Sequence, residues 1–425
     1  MRENFLHYLW KYKKFDALHL QSSSGEHIEL VHVGQHNFNS GPDFFNAQLY
    51  INGQFWAGNV EIHVSSSDWY THGHENDRAY ENVILHVVWE HDTDISRPNG
   101  SIIPTLKLKD YVNHQFLANY HSLFNKPSKW INCENQFPQI DDFVIRNWLH
   151  RLYLERLEQK SRKIEDLLNK SNNDWEAVLF KLLAKNFGLK VNGDAFLDLA
   201  IALDFSIIRK EQSDLLNLEA LFYGQAGMLK EEIEDSYALK LKKVYSFLKQ
   251  KYDLSDPEIT SFKFFRLRPS NFPTIRISQL ANLYHQHKTL FSQVISTDSI
   301  KDYYKLFSIE SSAYWNTHYN FGKSSKKTSK KLTKTFIDLM LINSIIPLKF
   351  SYAKYQGRSL NEQMIDLIQK IDSESNRIIS GFNNLHKVSH SALQSQGLIH
   401  LKNFYCDKNK CLQCSIGHEI LSSTI

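Results

Sequence analysis

The hydrophobic pattern of the chain changes near Pro127, and this change constrains the fold more than any other feature. Before that point, apolar residues alternate with polar ones at the period of two that is typical of β-strands. After it, apolar residues recur at the helical period. The 425 residues also exceed the size of an ordinary single domain. We therefore expect an α/β domain at 1–125 and a mainly helical domain at 126–425.

The first domain is predicted to contain a helix, three strands, a second helix and a fourth strand. The corresponding segments are Glu3–Lys14, His27–Val33, Asp43–Ile51, Gln54–Val64, Glu75–Glu81 and Val83–Trp89. Asn52-Gly53 is a strong hairpin signal, so the second and third strands should pair. The fourth strand is apolar almost throughout, which favours burial on both of its faces.

Composition restricts the class of protein. Apolar residues make up 42% of the chain and charged residues 23%, which excludes a disordered chain, a collagen-like fibre and a coiled-coil rod. Four cysteines are too few for a disulfide framework and favour a reducing compartment. The N-terminus lacks an unbroken apolar stretch, and Phe336–Phe350 is short and interrupted by Asp338 and Asn343. We expect a cytoplasmic protein with no membrane contact.

Two carboxylates are predicted to meet on neighbouring strands. Asp43 opens the second strand and Glu61 lies on the third, where His63 points to the same face as Glu61. A two-residue turn at Asn52-Gly53 would place Asp43 opposite Ile62, whereas a three-residue turn with a bulge would place it opposite Glu61. Only the second register forms a site. In that register, Asp43 and Glu61 would supply hard oxygen ligands for Mg²⁺ or Mn²⁺.

Histidine is concentrated in the first domain, which holds 12 of the 20 histidines and is therefore the expected place of any chemistry. His72 and His74 follow the acidic strand and could orient a phosphate or a water, or bind a transition metal. A zinc hydrolase built on His63, His72 and His74 is one interpretation, and solvated histidines in a loop are the other. His86, between apolar neighbours, is expected to be a core histidine.

The segments Ser40-Gly41-Pro42-Asp43 and Glu61-Ile62-His63 resemble the motif of the PD-(D/E)xK nuclease superfamily. The resemblance covers roughly the first 95 residues and includes the predicted order of elements. It implies a restriction-endonuclease-like fold, metal binding by Asp43 and Glu61, and a supporting role for Glu3 in the first helix. His63 replaces the lysine of the motif, and the resemblance leaves its water-orienting role open.

A second resemblance spans nearly the whole chain. The stretches at 40–44, 58–63, 83–88 and 266–273 and the terminal cysteine cluster are similar to those of an uncharacterised bacterial family, known as a domain of unknown function. This resemblance implies membership of the family. It implies no activity, because the family has none established.

The four cysteines predict a structural metal site. Cys406, Cys411 and Cys414 have the close spacing that lets thiolates converge on one ion, and Cys133 or His418 is the expected fourth ligand. Zinc is the simplest occupant, and an iron-sulfur cluster is the alternative. The alternative interpretation is that the cysteines are free thiols in a terminal loop and bind no metal.

Two basic segments are candidate contacts for DNA or RNA. Six lysines lie within 323–334, among them Lys326, Lys327, Lys330 and Lys331, and Arg266 and Arg268 lie among aromatic residues. The alternative interpretation of the lysine segment is a solvated loop, and that of the arginine segment is a packed aromatic core. The net charge of +4 is too small to decide between them.

The sequence thus predicts a metal-dependent phosphodiesterase that acts on nucleic acid, with Asp43, Glu61, His63, Glu3 and His72 in its active site. The alternative is a non-catalytic protein that binds nucleic acid or serves as a scaffold on a degenerate nuclease fold. The two differ in whether the acidic site binds a divalent cation. The oligomeric state has no signature in the sequence.

Overall fold

The computed structural model describes residues 1–124, 130–230, 234–256, 258–358 and 362–423. Contacts divide the chain into two compact units. The first comprises Met1–Ile145 and the C-terminal segment that begins at Lys402, and the second comprises Arg146–Leu401. The boundary predicted near Pro127 lies outside the described residues.

A seven-stranded mixed sheet forms the centre of the first unit. Its strands are β1 (Leu20–Gln21), β2 (His27–His32), β3 (Gln35–His36), β4 (Phe44–Ile51), β5 (Gln54–Ser65), β6 (Val83–Glu90) and β7 (Thr105–Lys107). The order is β1-β2-β4-β5-β6-β7, and β3 pairs with the beginning of β4. Pairs are antiparallel as far as β5, after which β5, β6 and β7 run parallel.

Four helices accompany the sheet: α1 (Glu3–Lys11), α2 (Asp68–Thr71), α3 (His114–Phe124) and, at the C-terminus, α18 (Ser415–Ser422). The predicted helix at Glu75–Glu81 was wrong. Two short 3₁₀ turns, His74–Asn76 and Arg78–Tyr80, occupy that segment. Asp77 separates them because its extended backbone and its carboxylate, which accepts from the Ala79 N–H, cap the second turn.

A bulge in β4, and not the length of the turn, sets the register of the β4–β5 hairpin. Ile51 pairs with Gln54, so Asn52-Gly53 is a two-residue turn with both residues at positive φ. A bulge then inserts one extra residue into β4, where Asn46 has φ 57°, and Phe44 pairs with Val60. The bulge, and not a longer turn, therefore brings Asp43 opposite Glu61.

The bulge also changes which side of β4 is buried. Beyond it, Phe44 is fully buried while Phe45 is only partly so, which reverses the alternation of buried and exposed side chains that the strand shows from Ala47 onwards. The strand β6 is buried along nearly its whole length, as its continuous apolar sequence predicts. The helix α1 contacts β5, and its apolar side, with Leu6 and Trp10 among others, is buried.

The C-terminal segment belongs to the first unit, not to the helical domain in which the sequence division placed it. The helix α18 packs against α3. The Asn119 side-chain amide donates to the carbonyl oxygens of Ile420, at 3.1 Å, and of Ser423, at 2.9 Å. These carbonyls end a helix and need donors from elsewhere, so a single asparagine fixes the segment.

The described part of the second unit is mainly helical and also contains the short strand pair β8 (His318–Asn320) and β9 (Lys323–Ser324). Its helices are α4 (Asp142–Asn169), α5 (Trp175–Phe187), α6 (Leu189–Ala202), α7 (Phe205–Glu211), α8 (Leu215–Gln225), α9 (Ser236–Lys251), α10 (Pro273–Gln286), α11 (Leu290–Ser296), α12 (Ile300–Leu306), α13 (Lys334–Met340), α14 (Ile346–Tyr355), α15 (Glu362–Gln369), α16 (Arg377–Leu385) and α17 (Ala392–His400). One large apolar core joins most of them. A mixed-sheet region followed by a mostly helical region confirms the general α+β class.

Among the described residues, one helical stretch, Lys334–Tyr355, is long and apolar enough to cross a membrane by length and composition. It joins α13 and α14 through the π-helical turn Leu341–Ile345. In its most apolar window, 61% of the residues are buried inside the protein, as in a core helix. The stretch is longer than the Phe336–Phe350 segment that the sequence singled out.

Gly417 permits the close approach of α18 to the cysteine loop. A Cβ at this position would lie 2.1 Å from the Cys411 carbonyl oxygen, which is backbone and cannot move aside cheaply. We expect Gly417→Ala to destabilise the first unit by about 1–3 kcal/mol. Thermal unfolding and hydrogen exchange of α18 measure the effect. Glu419→Ala, exposed on the same helix, should change stability little, and equal stability of the two variants would contradict the packing argument.

Glu219 is a fully buried carboxylic acid on α8. The Tyr237 hydroxyl donates to its Oε2, and burial raises the pKa of Glu219, although hydrogen bonds from neighbouring side chains oppose the shift. A native pKa above the unfolded value means that stability is full at low pH and falls as the pH rises from the unfolded pKa of 4.5 through the native one.

Glu219→Gln should therefore gain stability relative to the native protein as the pH rises from 4 to 8, because the amide never ionises. Urea unfolding across this range, followed by the fluorescence of the second unit, measures the difference. Exposed Glu158→Gln is the matched control. Parallel stability curves for the native protein and Glu219→Gln would show that the buried carboxyl group ionises normally.

Candidate functional site

The Asp43 and Glu61 carboxylates each accept a hydrogen bond from a backbone N–H of the opposite strand in the β4–β5 pair. The Asp43 backbone N–H donates to Glu61 Oε2 at 3.1 Å, and the Ile62 N–H donates to Asp43 Oδ2 at 3.0 Å. Glu61 is only 5% exposed, whereas Asp43 is partly accessible. The two carboxylates are thus neighbours, and each uses one oxygen to hold the backbone of the opposite strand.

Three imidazoles converge on the other side of Glu61. His63 Nε2 lies 3.1 Å from His72 Nδ1 and 3.5 Å from Glu61 Oε1, and His74 Nε2 lies 3.2 Å from the same Glu61 oxygen. His63 comes from β5 and is 1% exposed. His72 and His74 flank Gly73, whose φ of 74° lets the chain reverse so that both rings face β5.

His86 supports this cluster from β6. Its Nε2 lies 2.9 Å from His63 Nδ1, and Glu61 and His86 are partners in the parallel β5–β6 pairing. If His63 carries its proton on Nδ1, His86 Nε2 accepts it and the lone pair on His63 Nε2 faces His72 and Glu61. The sequence predicted a core histidine at this position, and His86 is indeed fully buried, but it also orients His63.

Burial sets the protonation of the cluster. It lowers the pKa of His63 to about 2, with the neighbouring histidines as a further cause, and lowers the pKa of His86 to about 3. Burial also raises the pKa of Glu61 to about 7, against the opposing effect of His74. At neutral pH the two inner imidazoles are therefore uncharged, as metal ligands must be, and Glu61 is poised to exchange a proton.

A second group of side chains lies on the more exposed side of Asp43. His7 Nε2 is 3.1 Å from Asp43 Oδ2 and 3.7 Å from Glu3 Oε1. Burial alone would lower the pKa of His7, but contact with Asp43 and the charge of Glu3 raise it overall. His7 was missed in the sequence. Its spacing of four residues from Glu3 on one helix is the signal that could have found it, because such residues share a face.

Two sets of potential metal ligands result within the described part of the chain. His63, His72 and His74 form one, and Glu3, His7 and Asp43 form the other, with the ligand atoms of each set within 4.8 Å of one another. The sequence predicted Asp43, Glu61, His63, Glu3 and His72 as one active site. The structure brings all five into this region and adds His7, His74 and His86.

The cysteines of the C-terminal segment lie near Cys133 within the first unit. Burial raises the pKa of the Cys406 thiol well above its usual range, and the charges of Cys133, Cys414 and Cys411 add to the effect. The Asn132 side-chain amide donates to Cys411 Sγ at 3.5 Å. His418 Nε2 is 2.7 Å from the Leu412 carbonyl oxygen, so this ring nitrogen is engaged by the backbone.

The residues of the second unit that were predicted to contact nucleic acid differ in their exposure to solvent. Lys330 is buried, and its Nζ donates to the carbonyl oxygens of Asn316 and Thr328, so it is not presented to a ligand. Lys331 Nζ lies 4.0 Å from Glu310 Oε2, and Lys326 and Lys327 are exposed. The arginines Arg266 and Arg268 are also exposed, with the Arg266 guanidinium 5.1 Å from the Phe265 ring centroid.

Comparison with known proteins identifies the family but no characterised relative. No curated protein and no solved structure gave a significant match to the chain. The model of one family, described as a protein of unknown function (DUF2851), matches residues 3–377. The match includes both sets of potential ligands on the sheet and ends before the cysteine cluster at 406–414. The chain therefore belongs to the DUF2851 family of proteins of unknown function.

Proposed function

We propose that this protein is a metal-dependent phosphodiesterase that acts on nucleic acid, and that His63, His72, His74 and Glu61 hold its divalent cation. The convergence of three imidazoles on the Glu61 carboxylate carries the proposal. Unpartnered ring nitrogens rarely face each other in a protein interior without a shared proton or a cation between them.

The spacing of these atoms suits a transition metal. Ligands about 2.1 Å from a tetrahedral ion lie about 3.4 Å apart. The three measured separations, from 3.1 to 3.5 Å, are close to that value. Imidazole nitrogens bind Zn²⁺ or Mn²⁺ better than Mg²⁺, which prefers oxygen. Of the Mg²⁺ or Mn²⁺ that the sequence suggested, Mn²⁺ fits this set, and Zn²⁺ is the other candidate.

A bound ion would polarise a phosphodiester and lower the pKa of an attacking water. Glu61 would accept the proton of that water. The water oxygen would form a bond to phosphorus as the bond from phosphorus to the leaving alcohol oxygen breaks. His7, in contact with Asp43 and Glu3, stands on the accessible side, where it can donate to a phosphate oxygen or to the leaving group.

The nuclease-like interpretation of the first unit receives support from its topology. The order α1, β2, β4, β5 and β6 repeats the first helix and the four strands on which the resemblance rests, whereas the short helix α2 precedes the segment in which the second helix was predicted. Asp43, Glu61 and Glu3 occupy the positions that the resemblance assigns to acids. His63 replaces the lysine of the motif, and we propose that it binds the ion instead of orienting water.

We also propose a structural zinc ion held by Cys133, Cys406, Cys411 and Cys414. Three thiols on one short loop, with Cys133 close to Cys406, suit a closed tetrahedral site, and the Asn132 amide stabilises a thiolate at Cys411. An iron-sulfur cluster is the alternative occupant, and its visible absorption distinguishes it.

Metal analysis of the purified chain tests both sites together. We expect about two ions per chain, one at each site. His74→Ala should lose the first ion and keep the second, and Cys411→Ser should do the reverse. Glu81→Gln, an exposed residue of the same unit, should retain both. Retention of full metal content by His74→Ala would reject the imidazole site, and retention by Cys411→Ser would reject the thiolate site.

Hydrolysis tests the reaction. With Mn²⁺ or Zn²⁺ the native protein should cleave a nucleic acid and the chromogenic diester bis(p-nitrophenyl) phosphate. Glu61→Gln should lower kcat by about 10²-fold or more, because it removes the proton acceptor. Glu81→Gln is the matched control. Absence of cleavage by the metal-loaded native protein across single-stranded and duplex DNA and RNA would favour the non-catalytic alternative.

A further inference from the structure

A cavity of about 310 Å³ in the first unit adjoins the proposed active site. Lys11 of α1 and Lys408 and Lys410 of the cysteine loop line it, together with the aromatic rings of Tyr12 and Phe38. The volume is within the range of about 300–1,000 Å³ that small-ligand sites occupy. Neither the sequence motifs nor the proposed metal sites account for these side chains.

The three lysines give the cavity an unbalanced positive charge. Lys11, Lys408 and Lys410 are exposed and form no ion pair within the described part of the chain. None of the described residues that line the cavity carries a carboxylate. Lysines that lack acidic partners on a concave surface attract an anion, and several of them at neighbouring positions suit a chain of phosphates.

Two aromatic rings beside these lysines are exposed to solvent. The Phe38 side chain is 80% exposed, and Tyr12 is 45% exposed. The Lys11 ammonium lies 5.8 Å from the Phe38 ring centroid and 5.5 Å from that of Tyr12. A single exposed ring needs no explanation, but open rings beside unpaired lysines form the surface on which unpaired bases stack.

His7 connects the cavity to the catalytic groups. It lines the cavity, and its Nε2 lies 3.1 Å from Asp43 Oδ2, while the Asp43 N–H donates to Glu61. Glu3, His7 and Lys11 follow each other at intervals of four residues on α1 and therefore share one helical face. The cavity is thus linked to Glu61 through the contact of His7 with Asp43.

We propose that this cavity binds single-stranded nucleic acid, with phosphates paired to Lys11, Lys408 and Lys410 and a base stacked on Phe38. The inference rests on the proposed function and names its substrate class. A duplex fits poorly, because its bases are paired and cannot stack on a protein ring. The proposed thiolate site would support this binding. Lys408 and Lys410 lie between Cys406 and Cys411, so an ion bound by these cysteines would fix the loop that carries both lysines.

Binding can be measured apart from cleavage. In a Glu61→Gln background, a fluorescein-labelled single-stranded oligothymidylate should bind, as followed by anisotropy. Phe38→Ala should weaken this binding about tenfold, and the double variant Lys408→Ala, Lys410→Ala should reduce the slope of log affinity against log salt by about 1.4. Duplex DNA of the same length should compete poorly.

The second unit offers matched controls. Phe247→Ala, 64% exposed, and the double variant Lys242→Ala, Lys243→Ala, both on α9, should leave affinity and salt slope unchanged. Apart from the shared Glu61→Gln background, all the substituted side chains are exposed, and circular dichroism checks that each variant folds. Absence of oligonucleotide binding, equal affinity of Phe38→Ala and its parent, or equal competition by duplex DNA and heparin would overturn the inference.

The small diester separates this inference from the proposed function. Cleavage of bis(p-nitrophenyl) phosphate needs the metal centre but not the cavity, so its rate in the native protein reports on the metal centre alone, and the control Phe247→Ala should retain it. Cleavage without oligonucleotide binding would overturn the cavity assignment and leave the phosphodiesterase intact. Oligonucleotide binding that depends on Phe38 and Lys408, without any cleavage, would support the cavity and reject the enzyme.

Discussion

One extra residue in β4 organises the candidate site. The bulge at Asn46 moves the register by one position, so that the Asp43 N–H meets the Glu61 carboxylate and the Ile62 N–H meets the Asp43 carboxylate. Without it, the two-residue turn at Asn52-Gly53 would place Asp43 opposite an apolar residue that faces the core. The positive φ of Asn46 is tolerated because asparagine is among the few residues that adopt it readily.

The buried side of the site carries an unusual electrostatic arrangement. Neutral His63 and His86 and a Glu61 with a raised pKa lie in a region where charge is poorly solvated. Such a group of polar atoms is expensive to bury unless each finds a partner. A bound cation would accept the lone pairs of the imidazoles and favour the ionised carboxylate, so metal binding and local stability would be linked.

The N-terminal helix and the C-terminal segment both belong to the first unit, and this bears on function. In the segment that begins at Lys402, the carbonyl oxygens of Ile420 and Ser423 accept from the Asn119 side chain. The cysteine loop thereby supplies Lys408 and Lys410 to the same cavity that α1 lines. A division of the chain by sequence pattern alone assigns the loop to the helical part, because its own residues carry no sign of which surface they will cover.

Local pattern was sufficient to predict the strands β2, β4, β5 and β6, the helix α1 and the general α+β class, because alternation and turn signals act over a few residues. It also identified Asp43, Glu61 and His63 as candidate site residues, since the alternation of side chains between the two faces of a strand follows from the sequence. Only the tertiary structure decided the bulge, the contact of His86 with His63, and the meeting of His7 with Asp43. These depend on register between strands and on packing between distant segments, which no local spacing encodes.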